Sequence, residues 1–217
     1  MKNMGLSGAV RGRTKVTTAA DTTQSKPPDL VSRKFSATGP NQLWISDFTY
    51  VATWRGFTYT AFVIDVFARR IVGWRVASSM TTELTLDALE QALHDREVGE
   101  QLIHHSDRGS QYLSIRYTDR FAEVGIAPSV GNAGDSYDNA MAESIIGLYK
   151  TEVIRRHGPW KSVDAVEIAT LDWVDWYNNR RILEPIGYRT PREAEIEYHE
   201  RQTRTADVAE LTLQPLR

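Results

Sequence analysis

The chain has 217 residues, 41% of them hydrophobic, with six Trp and no Cys. This suits one large domain plus an arm and excludes disulfides and Cys-built zinc sites, as in a reducing cytosol. No apolar run is long enough to cross a bilayer and residues 1–30 hold no signal-peptide core, while a net charge of −2 does not by itself announce a nucleic-acid binder.

The charge is unevenly spread. Residues 1–40 hold seven basic residues (Lys2, Arg11, Arg13, Lys15, Lys26, Arg33, Lys34) against Asp21 and Asp29, a net +5, which leaves −7 on the remainder. A basic arm on an acidic body is either an arm that touches a polyanion or a solvated tail. Its Gly, Thr, Ser, Lys and Pro content, Pro27-Pro28 included, shows no periodicity, so residues 1–40 are expected to be a flexible arm or linker.

Regular structure is expected from Asn41. Residues 43–51 are β-branched and aromatic, and period two puts Leu43, Ile45, Asp47, Thr49 and Val51 on one face. Asp47 therefore has apolar neighbours, a costly setting for a carboxylate unless it is paired, metal-bound or accepting local backbone hydrogen bonds. Residues 57–67 are almost continuously apolar, as in a central strand, interrupted by Asp65. Asp65 reads first as a strand-end partner of Arg69 or Arg70, and second as a further carboxylate near a site. A third strand at 71–77 completes an antiparallel meander.

A helix capped by Thr81 or Thr82 runs to about Arg96, and a strand at 102–106 follows. That crossover lays the new strand parallel, with Asp107 at its C-terminal end, where open α/β sheets place their ligands. His105 reads as a strand-edge histidine ahead of a proton shuttle. Ser110 is expected to cap a helix to Val124, and 126–130 to form a fifth strand. A Gly-containing loop, 131–136, precedes a helix over about 137–155 with an apolar stripe of Ala142, Ile145, Ile146, Tyr149 and Val153. Asn139, Glu143, Gly147 and Lys150 share another face. That face is either an ordinary solvated surface or a metal-binding acid beside a phosphate-binding lysine, with Gly147 admitting a close backbone. Ser162 caps a helix to about Asn178, where Trp173 reads as core and Arg180 and Arg181 suit the helix C-terminus or phosphates. A turn-rich strap at 184–191 leads to a short helix over 192–201.

Four segments carry a resemblance: Trp44-Ile45-Ser46-Asp47-Phe48-Thr49-Tyr50, His105-Ser106-Asp107-Arg108-Gly109-Ser110-Gln111-Tyr112, Asp135-Ser136-Tyr137-Asp138-Asn139-Ala140-Met141-Ala142-Glu143-Ser144, and Trp176-Tyr177-Asn178-Asn179-Arg180-Arg181. Together they are similar to bacterial insertion-sequence transposases of the insertion-sequence-three type, more narrowly to the second-frame protein. That family shares its DDE catalytic core with retroviral integrases. Thirty-five residues separate Asp107 from Glu143, the D,D(35)E spacing of that family, and the likeness spans about Gly5 to Thr190.

The resemblance implies an α/β fold, an RNase H-like mixed five-stranded sheet with helices on both faces. It implies a core over 41–195, a tail over 196–217, and an arm over 1–40 left after a helix-turn-helix region that this chain is expected to lack. Asp47, Asp107 and Glu143 would be both catalytic residues and ligands of Mg²⁺ or Mn²⁺, two ions in all. The reaction would be DNA strand cleavage by water, then transfer of the 3′-OH to another phosphodiester. Lys150, Asn139, Arg108, Arg180 and Arg181 would contact DNA. Implied partners are transposon ends and target DNA, a homo-oligomer assembled on them, and the first-frame helix-turn-helix protein; no membrane is implied, and the setting would be the bacterial cytoplasm. Two other readings stand beside it. One is a truncated, non-catalytic DNA-binding or assembly protein. The other is a stand-alone RNase H-like nuclease, against which the glutamate spacing and the Tyr177–Arg181 segment weigh.

Overall fold

A computed structural model describes residues 27–213 except 100, 108–111, 113 and 132–138. Its centre is a mixed five-stranded sheet. Strands β1 (Leu43–Thr53), β2 (Gly56–Asp65) and β3 (Arg70–Ala77) form the expected antiparallel meander, while β4 (Ile103–Ser106) and β5 (Ala127–Val130) add in parallel, giving the order β3-β2-β1-β4-β5. Helix α1 (Thr82–Asp95) supplies the crossover from β3 to β4, and α2 (Ile115–Val124) the one from β4 to β5. Helices α3 (Ala140–Tyr149), α4 (Val163–Asn179) and α5 (Pro191–Leu213) follow.

Period-two alternation along β1 and β2 feeds two cores, one on each face of the sheet. Trp44, Ala61 and Val63 pack with Leu84, Leu89, Tyr117 and Phe121 on the side of α1 and α2. Ile45, Phe62 and Ile64 pack with Ile145, Tyr149, Trp173 and Tyr177 on the side of α3 and α4. Gly73 lets α1 lie directly on β3: a Cβ there would meet the Ala88 carbonyl oxygen at 2.0 Å. Trp173 is core, as its place on the apolar stripe suggests.

Several boundaries differ from expectation for physical reasons. Residues 27–40 form no helix or strand, yet they are not a free arm. Val31 is buried, the Leu30 N–H donates to Ser129 Oγ at 2.9 Å, and Phe35 meets the His105 ring edge-on at 6.0 Å. Two apolar residues in a polar stretch suffice to seat it; residues 1–26 lie outside the described part. Helix α2 is capped by Ser114, whose Oγ accepts from the Tyr117 N–H, because the chain first buries Tyr112. The expected cap, Ser110, lies outside the described residues.

The helix expected over 137–155 starts at Ala140 and widens into a π-helix over Lys150–Arg155. The Thr151 hydroxyl donates to the Gly147 carbonyl at that transition, at 2.9 Å. The last helix does not stop near 201. Helix α5 runs to Leu213, with no Gly or Pro between Pro191 and Leu213 and with Glu197–Arg201 and Glu200–Arg204 pairs at helical spacing.

Asp65 is structural, but its cation is Arg96 rather than Arg69 or Arg70. Its carboxylate also accepts from the Asn41 and Phe67 N–H groups and from the Trp44 indole. Arg70 and Arg96 both pair with the buried Glu195 of α5, at 2.6 and 2.5 Å. No helix among the described residues is long and apolar enough to cross a membrane.

Candidate active site

The site forms where β1 and β4 end their pairing. Their parallel register runs Leu43↔Ile103 to Ser46↔Ser106, so Asp47 and Asp107 are the next residue on each of two adjacent strands. Neighbouring strands lie about 4.8 Å apart, so the two backbones leave the sheet side by side. Asp47 is half-buried on the α3 side of β1, and its Oδ1 accepts from the Phe48 N–H at 2.8 Å. Asp107 is exposed, at the C-terminal end of β4.

Helix α3 brings the third carboxylate. Asn139, its N-terminal cap position, is buried and donates its side-chain amide to the Ser46 carbonyl at 3.1 Å. That bond pins the start of α3 one residue from Asp47. Glu143 sits one turn on, exposed, with its N–H on the Asn139 carbonyl at 3.0 Å.

These groups share one field. Burial is the largest cause that pushes the Asp47 carboxyl up to about 7, and the charges of Asp107 and Glu143 push it further, against the Phe48 N–H and the Lys150 ammonium. Among the described residues no three acids or histidines close on one ion-sized point. The carboxylates converge electrostatically without forming a shell. The donor chemistry nevertheless fits a hard divalent cation: all the candidate ligands are carboxylate oxygens, and a nearby cation would offset the burial and mutual repulsion that hold Asp47 up.

The supports were less visible in the sequence. His104 lies buried with Nε2 2.7 Å from Ser46 Oγ and 3.3 Å from Tyr117 Oη; burial, chiefly, lowers it to about 3 and keeps it neutral. His105 is buried on the other face of β4, with Nδ1 2.8 Å from Ser129 Oγ. Because β4 lies between β1 and β5, His105 is an interior residue rather than a strand-edge one. Tyr112 had no role assigned from sequence, although it closes the His105–Tyr112 segment. It is buried, and its phenol is raised well above its ordinary value by burial first and then by Asp47, Tyr117 and Asp107. A large aromatic five residues after an acid at a strand end was the available signal.

The expected DNA contacts divide. Lys150 is half-buried, with Nζ 5.9 Å from the centre of the Tyr50 ring. Arg180 is exposed at the end of α4. Asn139 is not placed to meet phosphate, since its side chain is buried and its amide spent on Ser46. Arg181 is likewise engaged, paired with Glu152 and stacked 5.4 Å from the Trp176 ring. Arg108 lies outside the described residues.

Comparison with known proteins fits this geometry. Two integrase core domain families match, at residues 37–136 and 124–191. The putative transposase for insertion sequence element IS986/IS6110 of Mycobacterium tuberculosis H37Rv is 53% identical over 211 residues, 95% of this chain and 76% of that protein. The transposase for insertion sequence element IS629 of Shigella sonnei is 57% identical over 199 residues, 92% of this chain and 66% of that protein. Among solved structures, the HTLV-2 integrase catalytic core domain in complex with magnesium superposes with a TM-score of 0.58 at 16% identity. The match covers 73% of this chain and 98% of that one. A simian T-cell lymphotropic virus intasome chain gives 0.63 at 15% identity, covering 81% of this chain and 60% of that one. At such identities the structural likeness speaks for the fold alone.

Proposed function

Since the chain belongs to the integrase-core transposases of bacterial insertion sequences, of the insertion-sequence-three type, we propose that it cuts and joins DNA strands at a site made by Asp47, Asp107 and Glu143. The observation that carries this reading is the β1–β4 register, which sets Asp47 beside Asp107 while Glu143 raises the same Asp47 carboxyl. Mg²⁺ or Mn²⁺, two ions held by these three carboxylates, would activate an oxygen nucleophile and offset charge on the leaving oxygen. The magnesium in the HTLV-2 integrase core supports that choice of ion.

The chain's own residues do the positioning. The Phe48 N–H orients the Asp47 carboxylate, and the Asn139–Ser46 bond fixes where α3 starts and so where Glu143 stands. Lys150, seven residues beyond Glu143 at the start of the π-helix that continues α3, holds a DNA phosphate near the carboxylates, and the neutral His104 braces Ser46 from the opposite face. No side chain serves as the nucleophile, because water and a DNA 3′-OH fill that role in turn. The partners are transposon-end and target DNA, a second copy of the chain on that DNA, and the first-frame helix-turn-helix protein.

The test is an incubation with Mn²⁺ and labelled insertion-sequence ends, in parallel with Asp107→Asn and Glu143→Gln. Metal-dependent nicking or joining by the wild type, lost in both variants, is expected. Equal activity in the variants sinks the site assignment, and DNA binding without cleavage by the wild type points to a non-catalytic assembly role.

A further inference from the structure

We propose that the β1–β2 hairpin is a stacking platform for unpaired bases of a DNA strand running away from the carboxylate site; the proposal rests on the function argued above. Three large rings stand out from this one hairpin. Tyr50, Trp54 and Phe57 are 62%, 69% and 56% exposed. Tyr50 and Phe57 meet edge-on at 5.5 Å. The antiparallel register pairs Tyr50 with Tyr59 and Ala52 with Phe57, which makes Tyr50 and Phe57 diagonal neighbours on one face.

Cations lie on the same rings. Lys150 Nζ is 5.9 Å from the Tyr50 centroid and Lys161 Nζ 5.9 Å from that of Trp54. Arg55 is exposed at the hairpin tip. The segment 150–161 carries Lys150, Arg155, Arg156 and Lys161, and its single acid, Glu152, is engaged with Arg181. This concentration of positive charge sits on a body that is acidic as a whole. Exposed rings interleaved with cations suit a strand that offers both bases and phosphates, whereas an apolar protein surface would leave the cations without partners.

The end of the hairpin is tied to the rest of the fold. The Trp54 N–H donates to the Trp160 carbonyl at 2.9 Å, Thr53 bridges Trp160, and the Thr53 hydroxyl closes the turn on the Gly56 carbonyl at 2.8 Å. Tyr50 lies three residues beyond Asp47 on β1, on the other face of that strand, and Trp54 lies in the turn just past the strand's end, so the backbone carrying Tyr50 is about 10 Å along the strand from that carrying Asp47, with Trp54 farther out at the hairpin tip. An unpaired tail of a few nucleotides spans that track.

Fluorescence anisotropy with the full chain tests this, using three labelled DNAs: a blunt duplex, the same duplex with a five-nucleotide single-stranded tail, and one whose tail is abasic. The wild type is expected to bind the tailed duplex more tightly than the other two. Trp54→Ala and Tyr50→Ala should each lose about fivefold or more on the tailed duplex alone, and Trp54→Phe should retain the preference. Lys161→Ala should weaken all three about equally. No preference for the base-bearing tail, or equal losses by Trp54→Ala on all three DNAs, overturns the platform while leaving the function standing. A DNA-free dimer that Trp54→Ala converts to monomer in sedimentation overturns it in favour of an interface between copies. Failure of the wild type to bind any of the three overturns both readings.

Discussion

Asp47 illustrates how a single carboxyl reports a site. A strand aspartate that merely accepts local N–H groups is pulled down in pKa, whereas Asp47 is pushed from 3.8 up to about 7 by burial and by two other acids. The folded chain therefore holds this proton more tightly than the unfolded chain does. Stability from Asp47 is greatest below about pH 4 and is lost as pH rises towards 7. His104 slopes the other way: lowered to about 3 by burial, it contributes stability above about pH 6.5 that is lost as pH falls. The two slopes oppose one another between about pH 4 and 6.5. Asp47→Asn should raise metal-free stability at pH 8 by about 2–4 kcal/mol, change little at pH 4, and leave a more acid-sensitive profile. Thermal melts across that range check this. Addition of Mg²⁺ at pH 8 should stabilise the wild type and narrow the gap to the variant. The sequence identified Asp47 by its apolar neighbours, but Asn139 misled. Its place on the Glu143 face was legible, whereas its burial depends on how closely α3 approaches Ser46, a tertiary distance.

At the scale of the element, α3 is the informative one. Its apolar stripe, Ala142, Ile145, Ile146, Tyr149 and Val153, is buried as periodicity requires. The change to a π-helix at Lys150 carries no clear sequence signal, since the wider turn involves the Thr151–Gly147 bond and the packing of Val153 and Trp160. Gly147 is exposed, and a Cβ there would meet nothing within 4 Å. The fold does not need this glycine, which costs a helix about 0.5–1 kcal/mol relative to Ala. Gly147→Ala should therefore stabilise the protein by about that amount while weakening DNA binding, if a backbone passes close to this face. Melting and DNA titration of the same variant check both halves, and unchanged DNA affinity would remove the close approach.

Across the whole molecule, Glu195 is the point where distant segments meet. It binds Arg70 of β3 and Arg96 beyond α1, and Arg96 also reaches Asp65 on β2. Removing Glu195 strips Arg70 of its acid and leaves Arg96 only its longer contact with Asp65, at a cost of about 3–5 kcal/mol. Glu195→Ala should lower the melting temperature and speed amide exchange in α5 before it does so in β1 and β2, an order that hydrogen exchange can read. The sequence by itself determined the element order, the parallel crossovers, the place of Asp47 within β1, that of Asp107 at the end of β4 and the helical placement of Glu143. These depend on local periodicity and on handedness rules that act on neighbouring residues. Only the tertiary structure decided that Asp65 pairs with Arg96, that residues 27–40 pack against β5, that Arg181 is tied to Glu152, and that Tyr112 stands against the carboxylates. Those pairings join residues far apart in the chain, and their free energies depend on burial and distance, which exist only once the sheet has closed between its two layers of helices.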